Sequence, residues 1–186
     1  MTNDKTYQSS SYLYSNLSIL DVQTLAQSVE QQLRQNFGDA IEIAEIHYDF
    51  PVFHIRRDAI YAVLQHMRDD QGYNFLTTLC GIHYPDKKGQ ELGVVYQLHN
   101  MPSNLRVRFK VFMADGDQDI PTVTPLWATA NWMERETWDF YGIRFTGHPN
   151  LTRLLNMDEM NYHPLRKEHP LEDGSRDDKS DKMFGR

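Results

Sequence analysis

The sequence predicts an α+β fold, a mainly antiparallel sheet with helices packed on one side, followed by an extended C-terminal arm. Three observations predict it. The run LRVRFKVFM alternates Leu105, Val107, Phe109, Val111 and Met113 with Arg106, Arg108 and Lys110, so one face of the sheet packs and the other meets water or a partner. Two runs, DVQTLAQSVEQQLRQNFG and DAIYAVLQHMRDD, carry apolar residues at helical spacing. The connectors PDKKGQ and MPSN are short enough for antiparallel hairpins.

Along the chain, residues 1–18 are polar and rich in Ser and Tyr, and read as a loose N-terminal arm. Val22, Leu25, Ala26, Val29 and Leu33 then form a helical stripe, with Asp21 placed to cap its start and Gly38 to stop it. AIEIAEIHY alternates as a strand, and Asp49-Phe50-Pro51 turns the chain into a second strand, PVFHI. Ile60, Val63, Leu64 and Met67 make a second helical stripe, capped by Asp58 and ended near Gly72. YNFLTTLCGIHY, ELGVVYQLHN and LRVRFKVFM are three further strands. The charged loop ADGDQDIP leads to a third helix over 131–141, with Thr124 and Pro125 at its N-cap and first turn. Beyond Gly142 the periodicity stops, yet apolar residues such as Leu151, Leu154, Leu155, Met157, Met160, Tyr162 and Leu165 continue between prolines. Disordered chain is poor in such residues, so this stretch reads as an arm that covers a surface, its own or a partner's. The expected organisation is residues 1–18 as a loose arm, 19–145 as the α+β domain, and 146–186 as the covering arm.

Composition removes several function classes. A formal charge of −7 over 186 residues argues against general binding of nucleic acid phosphates. Cys80 is the single cysteine, so the chain alone cannot supply the roughly four thiolates of an iron–sulfur cluster. Its place in the apolar run FLTTLCGI predicts a buried, inert thiol. The N-terminal sequence lacks the basic-then-apolar order of a secretory signal. Its longest apolar runs fall far short of the ~20 residues that span a bilayer, so membrane association is expected only through a partner. P-loop, GxGxxG and GxSxG patterns are absent. Asp115, Asp117 and Asp119 imitate the start of a calcium loop, but Leu126 or Trp127 stands where its closing glutamate belongs. His163 and His169 each precede proline, with no third ligand close in sequence, which disfavours a metal there.

The densest chemistry lies in NWMERETWDFYGIRFTGHP, residues 131–149. Glu134 and Glu136 diverge by about 200° around a helix, so they cannot flank one bond as an acid/base pair. A hydrolase built on either glutamate with His148 is therefore the weaker reading. Arg135 and Asp139 stand four apart and are placed to pair. Trp132, Trp138, Phe140, Tyr141 and Phe145 are too many aromatics for a free polar face, and Trp and Arg are favoured interface anchors. Gly142 is expected to end the helix in a left-handed conformation, Gly147-His148-Pro149 to turn, and His148 to brace that turn through hydrogen bonds.

This segment, NWMERETWDFYGIRFTGHPNLTRLL followed by HPLRKEHPL, resembles the C subunit of bacterial proton-pumping NADH:quinone oxidoreductase, respiratory complex I. The likeness is strong from about Asn131 to Leu171 and weaker from about Asp21 to Met113. It implies a cofactor-free scaffold in the peripheral arm of the complex, on the cytoplasmic side of the cell inner membrane. Such a scaffold clasps the large neighbouring D subunit near the quinone site, while FMN and Fe–S clusters in partner subunits carry electrons from NADH to quinone. It implies no catalytic, cofactor-binding or metal-binding residue in this chain. The implied interface and structural residues are Glu134, Arg135, Glu136, Trp138, Asp139, Gly142, Gly147, His148, Pro149, Arg153, Pro164, Leu165, Arg166 and Lys167. The family's pattern usually has a basic residue or proline where this chain has Thr152, which puts one polar contact of the arm in question. The C and D subunits are fused in some bacteria, and this chain resembles the separate form. A membrane-bound hydrogenase, formate hydrogenlyase or ferredoxin-driven complex uses the same scaffold and is the alternative setting.

Overall fold

The computed structural model describes residues 19–47 and 50–169. The expectations for the N-terminal arm, for the turn at Asp49 and for residues 170–186 fall outside or partly outside that range. The elements follow in order: helix α1 (Ile19–Phe37), a short 3-10 turn (Gly38–Ala40), strand β1 (Ile41–His47), β2 (Phe50–Ile55), helix α2 (Ile60–Asp69), β3 (Phe75–His83), β4 (Leu92–Asn100), β5 (Leu105–Met113), β6 (Asp119–Pro121), helix α3 (Ala130–Tyr141) and β7 (Arg144–Thr146). Five strands form one sheet in the order β1-β2-β5-β4-β3, and β6 and β7 form a separate parallel pair. β1 and β2 run antiparallel, whereas β2 lies parallel to β5 with Phe53 opposite Phe109. That parallel neighbour is possible because a long crossover containing α2 separates the two strands.

The described residues divide into two compact units, 19–78 (without 48 and 49) with 96–111, and 79–95 with 112–169. In the first, Val22, Val29 and Leu33 of α1 are buried, and α1 packs against β1 and β2. The helical stripe expected for α2 is the one buried: Ile60, Val63, Leu64 and Met67. Phe53 and Phe109 stack with ring centroids 5.8 Å apart, and each contributes roughly 1.5–3 kcal/mol by leaving water. Val107, Phe109, Val111 and Met113 are all buried on β5, as their period of two requires. The second unit buries Leu79, Leu92, Val94, Ile120, Val123, Trp127, Ala130, Ile143 and Phe145. Gly81 of β3 lies so close to the Tyr141 ring that a Cβ there would stand 2.5 Å from it.

Several local expectations are corrected. α1 starts at Ile19, so Asp21 lies inside the first turn rather than at the cap. Asp58 does not cap α2; Ala59 holds that position, and the Asp58 carboxylate pairs with Arg56 at 2.7 Å. Arg56 offers a charged fork that outcompetes neutral amide donors for the carboxylate. Thr124 and Pro125 belong to a separate turn, and α3 starts only at Ala130. Cys80 is exposed, because β3 points Leu79 and Gly81 inward and leaves position 80 on the opposite face. The charged loop conceals strand β6, too short to show a period in the sequence.

Candidate functional site

Glu134, Arg135, Glu136, Trp138 and Asp139 lie on α3, and the chain after Gly142 returns to that helix through Arg153, His163 and Arg166. β7 pairs with β6 immediately after α3, and Thr122 donates its N–H to Thr146 O at 3.0 Å, which fixes both ends of the site.

Glu134 is fully buried. Its Oε1 accepts the Val123 N–H at 2.7 Å and its Oε2 meets the Thr122 hydroxyl at 2.5 Å. Burial pushes this carboxyl up to about 7, against the opposing pull of those two donors. Glu136, two residues on, is exposed, so the two carboxylates diverge as helical geometry requires. His148 braces the turn: its Nε2–H donates to Asn131 O at 3.1 Å while Nδ1 accepts the Asn150 N–H at 3.0 Å. With both ring nitrogens engaged, His148 has no lone pair to spare for a water, and the hydrolase reading loses its base.

Arg135 and Asp139 do not pair. Arg135 instead donates to the Thr152 and Arg153 carbonyls at 3.1 and 3.0 Å, and its guanidinium lies 5.0 Å from the Trp132 ring centroid. Asp139 is fully buried and takes Arg153 as its partner at 2.6 Å. Its other oxygen accepts three successive amides, from Leu154, Leu155 and Asn156, at 3.1, 2.9 and 3.0 Å. A buried carboxylate needs about four such donors to replace its hydration, and the 153–156 segment supplies them where the part-exposed Arg135 cannot. Burial alone would raise this carboxyl; the Asn156 and Leu155 amides and the Arg153 guanidinium outweigh it and hold it well below the usual carboxylate range.

Arg153 is the hub of the arm. Besides Asp139 it donates to the Met160 and Tyr162 carbonyls, and it sits over the Trp138 ring at 5.7 Å. Thr152, one residue before, is exposed and lends its carbonyl to Arg135.

The last four carbonyls of α3 would be orphaned at a free helix end. Here the arm and the cap satisfy all four. Trp138 O accepts the Gly142 N–H at 2.8 Å and Asp139 O accepts His163 Nδ1–H at 3.0 Å. Phe140 O accepts the Leu165 N–H at 3.1 Å and Tyr141 O accepts Arg166 Nε–H at 2.8 Å. Arg166 also reaches Asp115 at 3.1 Å, and the Lys167 N–H donates to His83 Nδ1 at 3.0 Å. Burial holds the His163 imidazole below its ordinary value, consistent with a neutral ring that donates from Nδ1 and packs edge-on to Trp138.

Gly142 has φ +79°, and a Cβ on it would stand 2.6 Å from the His163 ring. Gly142→Ala is expected to cost roughly 2–3 kcal/mol, from left-handed strain plus displacement of His163. Urea unfolding of the isolated chain measures it, and a loss below about 0.5 kcal/mol would mean that His163 is not seated there. Arg135→Ala is expected to cost only about 1–2 kcal/mol by the same measurement, since it removes two hydrogen bonds to carbonyls and strands no carboxylate.

Of the sequence-predicted residues, Arg153 and Arg166 converge on the C-terminal end of α3, where His163, singled out in the sequence only as a disfavoured metal ligand, joins them; Gly147, His148 and Pro149 turn at its other end, and Glu136 is exposed. Pro164 rigidifies the chain between His163 and Leu165. Thr122, Asp115 and His83 join the site without any sequence signal, because nothing in their local spacing marks them. Among the described residues no cluster of three or more His, Cys, Asp or Glu is placed to hold a metal, and no helix is long and apolar enough to cross a membrane.

Not all of the arm is satisfied. Arg153, His163 and Arg166 turn onto α3, while Leu155 and Met157 are 67% and 69% exposed and Tyr162 and Leu165 are 43% and 38% exposed. Trp132 on α3 is 60% exposed.

Residues 53–175 match the family described as respiratory-chain NADH dehydrogenase, 30 Kd subunit. The C subunit of NADH-quinone oxidoreductase from Mycobacterium avium (strain 104) is 42% identical over 152 residues, 81% of this chain and 64% of the relative. The protein of the same description from Acidothermus cellulolyticus is 43% identical over 135 residues, 72% of this chain and 70% of the relative. In the Nocardioides relative the match spans 51% of its length, so the chain covers about half to two thirds of the Nocardioides and Mycobacterium proteins. Among solved structures, the trypsin-resistant fragment (1-134) of Nqo5 superposes with a TM-score of 0.58 at 30% identity, covering 66% of this chain and 98% of the fragment. An archaeal respiratory complex, the membrane-bound sulfane sulfur reductase, contains a chain of the same fold, with a TM-score of 0.66 at 21% identity over 78% of this chain and 85% of that one.

Proposed function

This chain belongs to the 30 Kd subunit family of respiratory-chain NADH dehydrogenase, and on that premise we propose that it is a cofactor-free scaffold subunit of a proton-translocating NADH:quinone oxidoreductase. Electrons pass from NADH through FMN and Fe–S clusters held by other subunits to a quinone. This chain binds the large neighbouring D subunit, keeping it in register near the quinone site. It sits on the cytoplasmic side of the inner membrane and is attached to it through the complex alone.

One observation carries this reading: within residues 151–166 several large apolar side chains stand exposed while three cationic or polar ones are spent on α3. Arg153, His163 and Arg166 are spent on α3, and Leu155, Met157, Tyr162 and Leu165 are left outward. A segment fixed by its polar groups presents its apolar ones as a preformed surface, and such surfaces mark protein interfaces. Because the anchors are already made, docking loses little conformational entropy.

The test is purification of tagged full chain from its native membranes, with companions identified by mass. The expected companions are an NADH-binding flavoprotein and the D subunit, and the isolated chain is expected to show no NADH oxidation or quinone reduction. Turnover by the isolated chain, or its recovery without companions, would refute the scaffold role. Companions of a hydrogenase or ferredoxin-driven type instead of the flavoprotein would keep the scaffold and change the electron donor.

A further inference from the structure

The face of the five-stranded sheet opposite α1 carries a row of cations, Arg106, Arg108 and Lys110, and among the described residues Glu45 is the carboxylate that reaches Lys110. Ala44 and Phe53 line a cleft together with Gln23, Ala26 and Gln27 of α1, so α1 covers the face that holds the stacked Phe53 and Phe109. The neighbouring positions in register, His54 opposite Lys110 and Val52 opposite Arg108, point the other way. Arg106, Arg108 and Lys110 share that second face at a period of two, with Gln97 tied to it through Arg108.

The contacts of Arg108 and Lys110 leave positive charge on this face. Arg108 donates to Gln97 Oε1 at 2.9 Å and lies 4.5 Å from the Phe50 ring. Lys110 reaches Glu45 at 3.4 Å, and that same carboxylate oxygen also meets His54 at 3.1 Å and His47 at 2.9 Å. Burial first, and then the charge of Lys110, hold His54 below its ordinary value against the opposing pull of Glu45 and Glu42. The face is also recessed: the side chains of Lys110 and His54 are only 16% and 15% exposed. Recessed cations are costly unless an anion reaches them. A flat anionic surface would touch only their rims, whereas Asp and Glu side chains on a strand or loop can enter between the rows.

We infer that this sheet face is a second docking surface, and that it receives an acidic segment of a neighbouring subunit whose carboxylates pair with Arg108 and Lys110. The inference rests on the scaffold reading above, since it needs the assembled complex, but it concerns a different part of the chain from the arm.

Zero-length carbodiimide coupling of the purified complex, which joins a lysine amine directly to a carboxylate in contact with it, tests this. Lys110 is expected to be joined to an Asp or Glu of a neighbouring subunit. In parallel, the Arg108→Gln, Lys110→Gln double variant is expected to unfold at the wild-type temperature as an isolated chain, yet to be retained in the complex roughly tenfold less through a salt wash. The milder Lys110→Gln single variant provides the same comparison should the double variant fold poorly. Coupling of Lys110 only to Glu45 or to other carboxylates of its own chain overturns the inference. So does wild-type retention of the folded variants at every salt concentration. A chain that co-purifies normally while giving either result leaves the scaffold reading standing; a chain that finds no companions removes both.

Discussion

Replacing Arg153 with alanine is expected to lower the unfolding free energy of the isolated chain by about 3–5 kcal/mol. The Asp139 carboxylate is fully buried, and Arg153 is the cation that faces it, itself only 8% exposed. Removing it leaves a charge that three amides must hold alone, and the Met160 and Tyr162 carbonyls lose their donor at the same time. Arg153→Lys is expected to recover less than half of the loss, because an ammonium cannot spread donors toward Asp139, Met160 and Tyr162 together. Urea denaturation gives the magnitude, and limited proteolysis locates it: cleavage between residues 154 and 166 should appear in the variant before the helices unfold. A loss no larger than that of Arg135→Ala would mean that the buried ion pair is not the fastening of the arm. Since Asp139 is held below its ordinary value of 3.8, its contribution is present above that pH and lost as pH falls through and below it.

Glu134 is expected to give the opposite dependence. Its carboxyl is raised from 4.5 to about 7, so the folded chain binds a proton there that the unfolded chain has released. Its stabilisation is complete below pH 4.5 and is lost as pH rises through about 7. In the protonated form Oε1 accepts from Val123 and Oε2–H donates to Thr122, whose hydroxyl can pass on to Thr124 at 3.0 Å, so every group is satisfied. Glutamine reproduces that pattern with its carbonyl and amide. Glu134→Gln is therefore expected to leave stability almost unchanged at pH 5 and to raise it by about 1–3 kcal/mol at pH 8. Measuring unfolding of both proteins from pH 4 to 8 decides it: the decline specific to the wild type should vanish in the variant. Parallel curves would show that Glu134 is ionised and stabilised by something other than these two donors.

These expectations alter the meaning of the ERE motif. Its first glutamate braces the loop before the helix, its arginine grips the carbonyls of the arm, and its second glutamate is exposed. None of the three meets another. The motif supplies two separate fastenings on two sides of one helix, through Glu134 and Arg135.

Much of this was legible in the sequence. Alternation gave β1, β4 and β5, aromatic and β-branched enrichment gave β3, the turn before PVFHI gave β2, the apolar stripes gave α1 and α2, and the divergence of Glu134 from Glu136 followed from helical pitch alone. Gly142 announced its left-handed cap, and the Gly147-His148-Pro149 turn its brace. These features are local, set by the stereochemistry of a few consecutive residues. What the tertiary structure decided was every partner. Spacing favoured Arg135 for Asp139, but the carboxylate belongs to Arg153, 14 residues away. Glu134 is met by Thr122 from 12 residues upstream, and His83 meets Lys167 across 84 residues. Cys80 reads as buried in its apolar run, yet its register on the edge strand turns it outward. A side chain's nearest neighbours in space are fixed by how loops close and how helices seat on the sheet, and burial then selects whichever donors can replace lost water. That selection leaves no trace in residue spacing, so the sequence determined the elements and the polarity of their faces, while packing alone determined which charges meet.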